Sequence, residues 1–576
     1  MKKYFPIFEW LPSYKKAWLK GDLVAGLTVG VMLVPQGIAY AMIAGLPPIY
    51  GLYTALIPQI VYAVFGTSRQ LSVGPVALDS LIIASGVATL AEIGTENFIE
   101  FAILLTSFMG FLQIIFGSFK LGFLVNFLSR PVISGFTSAA ALIIGLNQLK
   151  HLLGINIERN NRVQYLLLDA YNNMENISWI TPLIGILSIL ILVALKRFAK
   201  KVPAALIVVI LGILLVKFLN LEQFEVQIIG KIPKGLPSFR MPNFSFEIIE
   251  KLFPIALTLA FISFLEAISL AKAIELKHTN YKVKPNKELI AIGLGNLIGS
   301  FFQTYPATGS LSRSAVNNQL GAKTPLASLF SAFIVALTLI YLTPVFYYLP
   351  KAVLGAIIIV AVYSLLDFSV PNQLLKSSKR ELIILNITLL ITATVGIKEG
   401  VLTGVALSIA TLIYRSTKPH FVVLGKVPET HFYRNLSRFE GLLEVQDEIL
   451  IVRFDAQLYF ANVQYFKDKL EEFSLGKGGK LKLIIIDGES INSVDSSAIY
   501  SLKEVISKYH NLCIQVVFTG MKGPVRDVLE RSGVISEIGY NSCFMSIQDA
   551  VDAFNNEKLK NEIEVKYTDY IKQTNT

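Results

Sequence analysis

Phe301-Phe-Gln-Thr-Tyr-Pro-Ala-Thr-Gly-Ser-Leu-Ser-Arg-Ser-Ala-Val-Asn-Asn-Gln-Leu-Gly321 is a polar, arginine-bearing stretch set between strongly apolar ones. An arginine near the centre of a bilayer costs roughly 2.5–3.5 kcal/mol on insertion scales, so Arg313 is expected to be buried in a protein cavity and to have a task there. The task reads as holding an anion. Pro306 and Gly309 interrupt the chain, and Ser310, Ser312 and Ser314 lead into a short run that can form a half-helix starting inside the membrane. Such a start presents unpaired N–H donors and about half a positive charge. A second break lies upstream at Ser72-Val-Gly-Pro-Val-Ala-Leu-Asp-Ser80, where Pro75 suits the first helical position. Paired broken helices in the two halves of a long apolar chain point to a transporter site near the bilayer midplane.

The remaining composition agrees. Of 576 residues, 53% are hydrophobic and only 16% charged, too apolar for a soluble protein of this length. The net charge of +11 resides in short connections between apolar segments, a positive-inside pattern and not a face for nucleic acid. Both cysteines, Cys513 and Cys543, fall in the polar C-terminal part, so no disulfide framework is implied. Residues 1–21 carry Lys2, Lys3, Lys15, Lys16 and Lys20, broken by Pro6, Glu9 and Pro12; they read as an interfacial cytoplasmic arm and not as a cleavable signal.

With about 20 apolar residues needed per spanning helix, a transmembrane domain over 22–418 holds candidate spans near 22–43, 49–66, 72–91, 99–117, 121–148, 180–196 and 203–219, then near 252–275, 287–302, 309–319, 325–343, 351–367, 381–395 and 398–414. Seven spans per repeat (22–219 and 252–414) is an odd number, so the two halves are expected to be inverted relative to each other. The basic loops Lys196-Arg-Phe-Ala-Lys-Lys201, Lys277 to Lys287 and Lys376-Ser-Ser-Lys-Arg380 fall on the side of the N-terminus, which places N-terminus and tail in the cytoplasm. Lys231, Lys234 and Arg240 fall on the other side, in a long connection that obeys this rule weakly. Short loops and compact length point to a bacterial inner membrane.

From about Gly425 to 555 the composition is that of a small soluble α/β domain. Strands are expected at Ile449–Phe454, Leu481–Ile486 and Cys513–Phe518, with helices near 462–473, 495–508 and 523–531, and a loosely held tail over 556–576. Gly476-Lys-Gly-Gly-Lys480 lacks the spacing of a nucleotide-binding loop and reads as a turn.

Pro35-Gln-Gly-Ile-Ala-Tyr-Ala41, Gly45-Leu-Pro-Pro-Ile-Tyr-Gly-Leu-Tyr53, Gly66-Thr-Ser-Arg69, Val73-Gly-Pro-Val-Ala77, Glu266-Ala-Ile-Ser269, Lys287-Glu-Leu-Ile-Ala-Ile-Gly293 and Gly309-Ser-Leu-Ser-Arg-Ser-Ala-Val-Asn317 together resemble the sulfate permease (SulP) family of anion transporters, over nearly the whole chain. The C-terminal part, with Val494-Asp-Ser-Ser-Ala498, is similar to the family's STAS domain. The resemblance implies a fourteen-span inverted repeat like that of nucleobase permeases, divided into a core that carries substrate and a gate that dimerises. It implies secondary active transport of a small inorganic anion, sulfate foremost.

It also assigns the anion site to Gln36 and Tyr40 in the first span, to Gly74, Val76 and Ala77 at the start of the third, and to Ser312 and Arg313 in the tenth. Two helix N-termini and one arginine total roughly two positive charges, which suits a fully ionised oxyanion. Glu266 stands alone in an apolar run; burial favours a neutral carboxyl, and the position matches the carboxylate of proton-coupled plant permeases. Ionised Glu266 is expected to pair with Arg313 and compete with the anion, and protonation to release the arginine. Asp79 is expected to face an aqueous vestibule, or else to act as a second proton carrier or as a cation ligand with Ser269 and Thr308, as in the family's sodium-coupled bicarbonate carriers. No cofactor or metal centre is expected; the coupling ion is H+, with Na+ the alternative. Asp495 reads as a helix N-cap, and Ser496 after it as a phosphorylation position through which a cytoplasmic regulator could act. Competing readings are a sodium-coupled bicarbonate or dicarboxylate carrier, an anion exchanger, and a membrane-anchored STAS signalling protein. No catalytic constellation marks an enzyme.

Overall fold

The computed structural model describes residues 5–122, 129–155, 157, 160, 162–198, 203–224, 226–278, 281–366, 368–439, 441–539 and 542–556. Lys2, Lys3, Lys200, Lys201 and the expected tail beyond Asn556 lie outside them. The chain divides into two compact units, residues 1–408 and 409–576.

In the first unit, every apolar segment read from the sequence carries a helix. Among the described residues eight helices are long and apolar enough to cross a membrane, and Ala77–Val87, Ala204–Leu219 and Lys351–Val362 are shorter apolar helices. Of the segment expected over 121–148, residues 123–128 lie outside the described ones, and the α-helix within it spans Arg130–Asn147 with Pro131 in its first turn; an additional helix, Val163–Asn172, lies where no span was expected.

Lipid tails are as apolar as leucine, so helices associate where small residues let backbones approach. A methyl group built on Gly51 would stand 1.9 Å from the carbonyl oxygen of Gly37, where helix Pro48–Phe65 crosses helix Leu19–Ala44. Gly110 and Gly293 meet in the same way, each 2.7 Å from the other's carbonyl oxygen by this measure, where Glu96–Ser118 crosses Pro285–Ser300.

Two buried carboxylates fasten loops to helices. Asp22, on the first long helix, accepts from the Lys323 N–H (2.6 Å), the Thr324 N–H (3.1 Å), the Thr324 hydroxyl (2.6 Å) and the Tyr14 hydroxyl (3.2 Å). Glu288 accepts from the Tyr62 hydroxyl (2.6 Å), the N–H groups of Thr67 (2.6 Å) and Ser68 (3.1 Å), and the Thr67 hydroxyl. Donors of this number satisfy a buried carboxylate that would otherwise be costly.

The second unit is built on a six-stranded sheet ordered Tyr433–Asn435, Phe421–Lys426, Ile449–Phe454, Leu483–Asp487, Gln515–Thr519, Cys543–Phe544. The first two pairings are antiparallel and the remaining three parallel. Strands buried on both faces read as continuous apolar runs. One face packs Phe421, Phe454 and Phe466 with helices Val463–Lys477, Ser496–Asn511 and Gly523–Arg531; the other packs Leu424, Ile451 and Ile485 with helix Ile547–Asn555. The sheet thus begins at Phe421, four residues before the expected boundary at Gly425. Gly476 to Lys480 is the end of a helix followed by a short turn. Asp495 caps helix Ser496–Asn511 as expected, accepting from the Ala498 N–H at 2.8 Å, and its second oxygen accepts from the Phe460 N–H at 2.9 Å.

Candidate functional site

Both chain breaks take the same form. Val73–Gly74 is a two-residue strand followed, after Pro75 and Val76, by helix Ala77–Val87; Thr308–Gly309 is a two-residue strand followed by helix Leu311–Gln319. The two strands pair antiparallel, Val73 with Gly309 and Gly74 with Thr308. The Ser310 N–H donates to the Ser72 carbonyl at 2.9 Å, and the Ser72 N–H to the Ser314 hydroxyl at 2.9 Å. Two half-helices therefore start from one crossing point. Neither start is capped by its own side chain: Val76 and Ser310 hold the N-cap positions in extended conformation without a side-chain capping bond. The first N–H groups and the positive dipole ends stay available to an anion.

Arg313 is fully buried at this crossing. Its Nε donates to the Ser72 hydroxyl (3.3 Å) and its Nη1 to the Gln36 amide oxygen (3.3 Å) and the Pro75 carbonyl (3.1 Å). Its Nη2 has no hydrogen-bond partner and faces Gly74, where a methyl group would stand 3.3 Å away. The guanidinium is thus held by neutral acceptors, with its charge unbalanced and one donor group free. That is the chemistry of an oxyanion receptor.

Other expected site residues divide into those the fold brings here and those it does not. Gln36 is in contact with Arg313, and Tyr40, one turn on, lies within electrostatic reach of both Arg313 and Glu266. Gly74, Val76 and Ala77 are buried at the first half-helix start. Ser312 is exposed in the first turn of the second, 3.4 Å from the Ser310 hydroxyl. Glu266 is half-buried, and its Oε2 is shielded without a hydrogen-bond partner.

Three expectations need correction. Glu266 makes no ion pair with Arg313, because the guanidinium is turned toward Ser72, Gln36 and Pro75; the two interact only through their fields. Asp79 does not face a vestibule: it is fully buried, and its Oδ2 accepts from the Ser263 hydroxyl at 2.6 Å while its Oδ1 has no partner. Ser269 is exposed, whereas Thr308 is buried and donates to the Ser263 carbonyl at 2.7 Å. Ser496 is exposed at its helix start in the second unit.

Sequence reasoning missed Ser72, Ser263, Ser314 and Asn296. Asn296 donates to the Ala307 carbonyl (3.1 Å) and accepts from the Ala307 N–H (2.8 Å), bracing the chain just before the second strand. A buried amide in an apolar helix is a signal that was available, since it is costly unless bonded.

Comparison with known proteins identifies the family. The sequence model of the Sulfate permease family matches residues 19–388, and that of the STAS domain matches residues 442–550. The chain is 38% identical to "Sulfate transporter 4.1, chloroplastic" of Arabidopsis thaliana, over 95% of this chain and 82% of that one. It is 34% identical to "Sulfate transporter 3.1" of the same plant, over 96% and 87%. Among solved structures, the murine Solute Carrier 26 family member A9 anion transporter in the inward-facing state superposes with a TM-score of 0.88 at 27% identity, covering 95% of this chain and 93% of that one. The transmembrane domain of the cyanobacterium bicarbonate transporter BicA shares the fold at a TM-score of 0.59 and 24% identity, over 69% of this chain and 98% of that one. The chain therefore belongs to the sulfate permease family of multi-pass membrane anion transporters and carries the family's C-terminal STAS domain.

Proposed function

We propose that the protein carries sulfate together with protons across the membrane, through a site formed by Arg313 and the two half-helix starts. The observation that carries this reading is the buried guanidinium whose Nη2 has no hydrogen-bond partner, set against Gly74, which places no side chain between that donor and the first half-helix start. Sulfate is the cargo printed in the names of relatives 32–38% identical over nearly the whole chain. Roughly two positive charges, one from Arg313 and about half from each helix start, match its charge.

Glu266 supplies the coupling. Its ionised carboxylate opposes anion binding through space, and a proton on it removes the opposition. The protein is read as a homodimer with the N-terminus and STAS domain in the cytoplasm, and exposed Ser496 as a position where a phosphate at a helix start would engage a regulator.

Uptake of radiolabelled sulfate into proteoliposomes tests the reading, with an inward proton gradient and then with sodium alone. Uptake is expected to follow the proton gradient, to vanish in Arg313→Ala, and to lose the part of its pH dependence that Glu266 carries in Glu266→Gln. Sulfate uptake that follows sodium overturns the coupling, and absence of sulfate uptake under both gradients overturns the substrate.

A further inference from the structure

Asp79 has no part in the anion site as just described, yet it is fully buried and one of its oxygens is free. It stands in the first turn of helix Ala77–Val87, where a carboxylate can be placed close to the helix start. Ser263, which donates to Asp79 Oδ2, lies three residues before Glu266 on helix Phe246–Glu275, so both carboxyls belong to one side of the crossing. Each presents one oxygen without a hydrogen-bond partner, Asp79 Oδ1 and Glu266 Oε2. Each also lies in the field of the other.

From these observations we propose that Asp79 is a second proton-binding group, so that each sulfate travels with two protons, one on Glu266 and one on Asp79. This rests on the proton-coupled reading above.

The argument is a count of charge. A loaded site holds sulfate at −2, Arg313 at +1 and two helix starts at about half a charge each, which sum to roughly zero only if both carboxyls are neutral. Every ionised carboxylate leaves one buried negative charge beside a dianion, a strongly unfavourable arrangement in low dielectric. No other cation is at hand to offset it. The ionisable groups that interact with Asp79 are Glu266 on helix Phe246–Glu275 and Tyr305 before the second strand; Tyr40 on helix Leu19–Ala44 and Arg313 interact in turn with Glu266. The other two helices packed against Ala77–Val87 carry ionisable residues only within their first five positions: Glu96 and Glu100 on Glu96–Ser118, and Arg130 on Arg130–Asn147. The Ser263 hydroxyl occupies Oδ2 and leaves Oδ1 to take the proton. No bond other than that to the proton forms or breaks; the proton comes from water on one side and returns to water on the other.

Proteoliposomes loaded with potassium and valinomycin allow the membrane potential and the pH gradient to be set separately, with radiolabelled sulfate as the probe. Two protons per sulfate make transport electroneutral, so wild-type uptake is expected to ignore the potential, and the pH gradient that nulls net flux against a tenfold sulfate gradient is expected to be half a unit. In Asp79→Asn one proton remains, a net negative charge moves, and an inside-negative potential is expected to slow uptake. The null gradient at zero potential then doubles to one unit. Wild-type uptake that follows the pH gradient but shows the one-proton null overturns the inference and leaves proton coupling intact. A two-proton null persisting in Asp79→Asn also overturns it. Uptake indifferent to any proton gradient overturns the coupled reading itself. Should Asp79→Asn fail to fold, the wild-type null alone decides, because it needs no variant.

Discussion

Gly74 and Arg313 face each other across the paired strands: a methyl group on the glycine would lie 3.3 Å from Nη2, the nitrogen that has no other partner. Gly74→Ala therefore covers the free donor with only a few tenths of an ångström of adjustment. The variant is expected to fold as the wild type does by size-exclusion chromatography, and to raise the sulfate KM about tenfold, equivalent to about 1.4 kcal/mol of binding. An unchanged KM would place the anion elsewhere.

Gly51 sits much tighter, 1.9 Å by the same measure from the Gly37 carbonyl oxygen, which is backbone and cannot swing aside. Gly51→Ala must force two helices apart, and overpacking of this kind costs about 1–3 kcal/mol or more. A lowered melting temperature in detergent, or loss of monodisperse protein, is expected. Gly145→Ala, in helix Arg130–Asn147 with nothing within 4 Å of the added carbon, is the control and is expected to leave the melting temperature unchanged or slightly raised.

The two cysteines should differ sharply toward maleimide. Cys513 is exposed, whereas Cys543 is buried in the last strand of the sheet. Burial pushes the Cys543 thiol up to about 12, with Glu530 adding to the shift and Arg526 opposing it. Because the thiolate is the reactive form, a raised value means less of it: about one part in ten thousand at pH 8. One equivalent of label is expected on native protein from pH 7 to 9, carried by Cys513, and two after denaturation. Two equivalents on the native protein would contradict the burial.

Asp495 ties two backbone segments together, through the N–H groups of Ala498 and Phe460. Asp495→Ala removes the helix cap and strands the second donor, for an expected loss of about 1–2 kcal/mol in the STAS domain. Denaturant unfolding followed by the domain's far-UV signal measures it. Asp495→Asn, which keeps the cap oxygen, is expected to recover more than half.

Much of this was legible in the sequence, for identifiable reasons. Apolar runs located the helices, and Pro75, Pro306 and Gly309 betrayed the two breaks, because neither proline nor an intramembrane polar run is tolerated casually in a helix. Arg313 and Gln36 stood out as costly residues in apolar surroundings. Depth and direction did not stand out. Ser263 and Ser269 flank Glu266 by one turn on either side, and only the packing of helix Phe246–Glu275 against the crossing decides that Ser263 reaches Asp79 while Ser269 is exposed. Where the Arg313 side chain points is likewise a matter of tertiary geometry, so the expected ion pair with Glu266 had sound charge logic and the wrong orientation. In the sheet, Tyr433–Asn435 and Cys543–Phe544 were too short for periodicity to register.

The carboxylates at Asp22 and Glu288 bear on how such a site can face two sides of a membrane. Glu288 grips Thr67 and Ser68, just ahead of the first paired strand; Asp22 grips Lys323 and Thr324, just beyond the second half-helix. The approach to the first paired strand and the exit from the second half-helix are thus moored to other helices. Neither of these two segments can shift without breaking several charge-assisted bonds at once. On the proposed reading, the anion meets the same atoms at loading and at unloading. Selectivity becomes a fixed property of a rigid pocket, while turnover depends on the surrounding helices, and substitutions in the two places should separate which ion is carried from how fast.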